Sequence, residues 1–62
     1  MAVSDLTEHI WDENFPISIR LNDNNMELHK STCRFYERAY DECEVADWGI
    51  DNFGLTVWVK EV

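Results

Sequence analysis

Few side chains in this chain have metal-binding or nucleophilic chemistry: His29, Cys33 and Cys43, and near the amino terminus Glu8, His9, Asp12 and Glu13. His29 and Cys33 are separated by a gap that a zinc site can use, and Cys43 could join them. A cysteine beside a histidine could equally serve as nucleophile and base. Both ideas need these residues to converge, and the elements that must carry them point elsewhere. His29 falls on a strand, Cys33 in the first turn of a helix, and Cys43 in the middle of that helix's apolar face, where a free cysteine behaves as a small hydrophobe. His9 and Glu13 fall one helical turn apart, but two ligands do not complete a metal site. Gly49 and Gly54 are the only glycines, so no Gly-rich loop can cradle a phosphate. No catalytic, metal or cofactor site is expected.

The elements follow from apolar spacing. Ser31 to Trp48 repeats at 3.6 residues, with Phe35, Tyr36, Ala39, Tyr40, Cys43 and Ala46 on one side and Arg34, Glu37, Arg38, Asp41, Glu42 and Glu44 on the other. Gly49 would close this amphipathic helix, and Ser31 or Thr32 would cap it. Cys33 and Cys43 would then stand ~15 Å apart along its axis, too far to be bridged. A shorter helix is expected over Ser4 to Asn14, ended by Pro16, which disfavours helical geometry at Phe15.

From Pro16 the period becomes two, with Ile17, Ile19 and Leu21 alternating with Ser18 and Arg20. The turn formers Asn22 to Asn25 lead into a second alternating run from Met26 to His29, which predicts a β-hairpin. Gly49 to Gly54 is expected as a loop, and Leu55 to Val62 as a third strand. The expected fold is α+β in the order α-β-β-α-β. It has a three-stranded antiparallel sheet, order 2-1-3, with one main amphipathic helix packed on a face and a short N-terminal helix.

Sixty-two residues make one small domain with a thin core, which favours function on the outer surface over a buried cavity. Thirteen Asp or Glu against five Lys or Arg give a net charge of −8. Direct binding to nucleic acid or to an anionic membrane would work against that charge. The expected partner is basic. No apolar run approaches the ~20 residues of a spanning helix, and the start MAVSDLTEH lacks the pattern of a secretory signal, so a cytoplasmic location is expected.

The charge is unevenly placed. Residues 1–15 hold four acids and no base, and residues 33–51 hold six acids and two bases, while the remaining segments balance. Glu37, Asp41 and Glu44 would fall on one row of the main helix, continued by Trp48, with Asp47 and Asp51 nearby. Such a row is either a solvated face or a contact for a Lys/Arg patch; the second reading requires that Arg34, Arg38 and Lys60 leave it unneutralised. Trp58 would lie on the sheet face opposite Leu55, Val57 and Val59. Either the first helix or Arg20 covers it, or it anchors a protein interface.

These residues make the candidate partner-binding set Glu37, Asp41, Glu44, Asp47, Trp48, Asp51 and Trp58. In size, charge and compact α/β pattern the chain resembles the antagonists encoded by phages and mobile elements, including anti-CRISPR proteins and DNA mimics. The resemblance implies an inhibitor that occupies the basic surface of a nucleic-acid-binding protein. The competing expectation is a homodimerising structural or adaptor protein that uses its exposed sheet face, or its third-strand edge, with charge serving solubility.

Overall fold

The computed structural model describes residues 1–36 and 38–61. It is mostly β: a helix α1 (Val3–Thr7), strands β1 (Pro16–Leu21), β2 (Glu27–Thr32), β3 (Val45–Asp51) and β4 (Gly54–Val59), and one 3-10 turn at Cys33–Phe35. The four strands form a mixed sheet in the order β2-β1-β4-β3. Two antiparallel hairpins, β1 with β2 and β3 with β4, are joined by a parallel seam between β1 and β4.

The expected main helix does not form. Ser31 and Thr32 are the end of β2, Tyr36 is extended with ψ 120°, and Arg38 takes a positive φ of 60°. Residues 45–51 then run as an edge strand. Ser31 and Thr32 therefore cap no long helix, and Gly49 sits in mid-strand instead of closing one. The physical reason lies in β4. Leu55, Val57 and Val59 are at most 2% exposed, a degree of burial that suits a strand with neighbours on both sides. Only a strand drawn from residues 45–51 supplies the second neighbour. The three-stranded antiparallel sheet of order 2-1-3 is thus corrected to four mixed strands, and the last strand lies parallel to the first.

The turn that makes this possible is tight. Asp51 pairs directly with Gly54, so Asn52 and Phe53 alone form the loop, and Asp51 Oδ1 accepts the Phe53 N–H at 2.7 Å. Gly54 has φ 129°, and a Cβ there would stand 2.6 Å from the Pro16 carbonyl oxygen. Only glycine lets the hairpin end approach the start of β1 so closely.

One sheet face is covered. Ile17, Ile19, Leu55, Val57 and Val59 form a fully buried layer with Val3 of α1, and Leu6, Ile10, Phe15, Tyr36, Tyr40 and Cys43 pack around it. Alternation places Ile17 and Ile19 on this side of β1, and Ser18 and Arg20 on the other. The N-terminal helix is shorter than the expected Ser4 to Asn14. Its first N–H groups donate to the connector between β2 and β3, from Val3 to the Cys43 carbonyl and from Ser4 to that of Asp41, both at 3.0 Å. That anchorage compensates for a helix too short to be stable alone.

Candidate functional site

The sequence-derived residues do not form one surface. Glu37 lies outside the described residues. Asp41 is on the connector, where its carboxylate accepts the Tyr36 hydroxyl at 2.9 Å and lies 3.8 Å from Arg38. Glu44 pairs with Lys60 at 3.4 Å. The helical row of carboxylates therefore does not exist, and two of its acids are matched by bases of their own chain. Asp47, Trp48 and Asp51 all lie on β3, where Asp47 pairs with Trp58 and shares its face with Asp51, while Trp48 points to the opposite face.

Trp58 lies on the sheet face that α1 leaves bare, in register with Arg20. Its indole Nε1 donates to Asn25 Oδ1 at 2.9 Å, and the Arg20 guanidinium holds the same Asn25. His29, the other side chain the alternation offers to that face, is not its neighbour. Instead, His29 pairs with Ile19 on the core side and meets Tyr36 and Tyr40 with ring centroids 5.7 and 6.1 Å away. His29, Cys33 and Cys43 do not converge on a common point, and among the described residues no three His, Cys, Asp or Glu side chains are grouped to hold a metal ion. With the helix gone, the ~15 Å axial separation of the two cysteines goes too; both thiols are free and half-buried. His9 and Glu13 lie beyond the end of α1, so their one-turn spacing is lost as well.

What the fold does assemble is a groove between β3 and residues 1–15, that is, α1 with the segments on either side of it. Two adjoining hollows, of about 420 and about 190 Å³, share His9, Ile10 and Ile50. The larger is lined by Met1, Leu6, Trp48 and Leu55 as well, and the smaller by Trp11 and Phe15. Trp11 is 91% exposed, Ile50 58% and Trp48 44%, and grouped large apolar side chains open to solvent are the kind of surface that proteins use for docking.

One wall is acidic. Asp5 and Asp12 line the groove, and Glu8 and Glu13 are exposed on the same segment. Asp47 and Asp51 alternate with Trp48 and Ile50 along β3, so they stand on the strand's other side. No Lys or Arg lines either hollow. Sequence reasoning misses this site because it places Ile50 in the Gly49 to Gly54 loop and Trp11 at the edge of the apolar stripe of a helix from Ser4 to Asn14. The alternation of Asp47, Trp48, Gly49, Ile50 and Asp51, followed at once by a turn-forming Asn52, was the signal available.

Comparison with protein-family models, curated proteins and solved structures finds no match, so the site is interpreted from this chain's own chemistry.

Proposed function

We propose that this chain is a small acidic binding protein that inhibits a nucleic-acid-handling protein by occupying its basic surface. The observation that supports this reading is the apolar groove between residues 1–15 and β3, with Asp5 and Asp12 on one wall, Asp47 and Asp51 on the far face of β3 and no Lys or Arg among its lining residues. Three ion pairs, Arg20 with Glu27, Arg38 with Asp41 and Lys60 with Glu44, use up three of the five bases, against thirteen acids. The excess negative charge steers a cationic partner, and Trp48, Ile50 and Trp11 supply area that can be desolvated on docking. Nothing of the kind favours a phosphate-bearing ligand, which the same charge repels.

The test is capture from a cell lysate on the immobilised chain, followed by competition. At low salt a basic DNA- or RNA-binding protein is retained, and at ~0.5 M salt, where the Debye length falls below about 5 Å, it is released. Adding the free chain then displaces nucleic acid from that purified partner. A partner that keeps its nucleic acid in the presence of the chain overturns the reading, and so does a salt-insensitive self-association with nothing captured.

A further inference from the structure

We propose that the outer edge of β3 accepts an extended segment of the partner, alternating basic and apolar residues, as an added antiparallel strand. The inference rests on the basic-partner reading and specifies where and how that partner is held.

β3 is the terminal strand of the sheet, with β4 on one side only. The Trp48 N–H is turned away from the β4 ladder, since it is taken up by the carboxylate of the preceding Asp47 at 2.9 Å. The register from Asp47 to Asp51 is regular, so strict alternation gives Ile50 the same outward direction. The beginning of this edge is already used in the way proposed. Ala2 bridges Glu44 antiparallel, Val3 donates to the Cys43 carbonyl, and Val45 donates to that of Met1 at 2.8 Å. An incoming segment continues this row past Met1, along Asp47 to Asp51.

The side chains define the occupant. Residues of an added strand directly opposite Trp48 and Ile50 share their face and enter the groove, so they must be apolar. Residues opposite Asp47 and Asp51 meet carboxylates, so they must be cationic. Asp47 acts as a placeholder: a carbonyl from the added strand replaces it on the Trp48 N–H, which frees its carboxylate for that cation. A second copy of this chain fits badly. Antiparallel self-pairing centred on Gly49 would set Asp47 of one copy opposite Asp51 of the other, twice per dimer, and like charges directly opposite are destabilising.

The geometry gives an asymmetric test with an end-blocked octapeptide of alternating Lys and Val. In the proposed pairing the Val nitrogens donate to β3 and the Lys nitrogens point to solvent. Methylating every Val nitrogen is expected to weaken binding at least about tenfold, while methylating every Lys nitrogen leaves it nearly unchanged. On binding the parent peptide, the Trp48 and Ile50 amides should shift and gain protection from hydrogen exchange. Equal affinities for the two methylated peptides, absence of binding, or shifts at β2 or Trp58 in place of β3 overturn the proposal. So does protection of the β3 amides by self-association without peptide. If Asp47→Lys with Asp51→Lys folds and still captures the natural partner with unchanged salt sensitivity, this edge is excluded while the basic-partner reading survives.

Discussion

Asn25 Oδ1 accepts two hydrogen bonds from two different strands, from Trp58 Nε1 of β4 at 2.9 Å and from Arg20 Nε of β1 at 2.7 Å. The backbone carbonyl of Asn25 also accepts from Arg20 Nη2. This turn residue, at a left-handed φ of 58°, therefore fastens the β1–β2 hairpin to β4 on the face that α1 does not cover. Trp58 is spent on holding the sheet together, which removes the main argument for it as a binding anchor.

Asn25→Ala loses both side-chain bonds and strains the left-handed turn, for an expected cost of about 1–3 kcal/mol in denaturant unfolding. Asn25→Gly loses the bonds but relieves the strain, so it should cost less. Equal losses in the two variants would show that the bonds alone matter; no loss in either would show that the clasp is idle.

Tyr36 and Asp41 are a second clasp, with a pH signature. Burial, reinforced by the hydrogen bond to the Asp41 carboxylate and by its charge, pushes the Tyr36 phenol well above its usual 10.0. The folded chain thus holds this proton more tightly than the unfolded one. The stabilisation is complete below about pH 10 and is lost as pH rises further through the folded-state value. Tyr36→Phe should cost about 1 kcal/mol at neutral pH and show a shallower alkaline decline. Unfolding midpoints from pH 7 to 11 provide the comparison; parallel curves for the two proteins would contradict the assignment.

How far the sequence could be read depends on which kind of pattern each segment carried. The alternation of Ile17, Ile19 and Leu21 and of Leu55, Val57 and Val59 has one interpretation, and all of them but the half-buried Leu21 form the buried layer. Residues 31–48 carried two. Phe35, Tyr36, Tyr40 and Cys43 match a helical stripe, yet Phe35 is exposed and the other three reach the margin of the core from an irregular connector, which needs no period at all. Val45 to Asp51 alternates only weakly, because Gly49 has no side chain and a bulge between Val45 and Asp47 breaks the count. The acids near the site were visible as composition, but not the groove, because that depends on residues 1–15 and β3, far apart in the sequence, meeting in the fold.

Thr32 offers a test of the core margin. Its Oγ1 is buried and has no hydrogen-bond partner among the described residues. Thr32→Val removes an orphaned hydroxyl while keeping the shape, and should raise stability by about 0.5–1 kcal/mol. A loss would indicate that a water or a backbone group satisfies that hydroxyl.

The two glycines give opposite predictions, and together they discriminate between a helix and a strand over residues 45–51. Gly54 stands at φ 129° with Pro16 against it, so Gly54→Ala should destabilise by several kcal/mol whichever way the surroundings relax. Gly49 is different. A Cβ there meets nothing within 4 Å, and the residue pairs directly with Thr56. In a strand, Gly49→Thr adds a β-branched side chain and a Thr–Thr cross-strand pair, for an expected gain of about 0.5–1 kcal/mol. At the left-handed end of a helix the same change would cost about 1 kcal/mol, since only glycine is at ease there. Thermal unfolding of Gly49→Thr therefore reads out the conformation of this segment by sign alone: a raised midpoint fits the edge strand on which the docking surface is built, and a lowered one removes it.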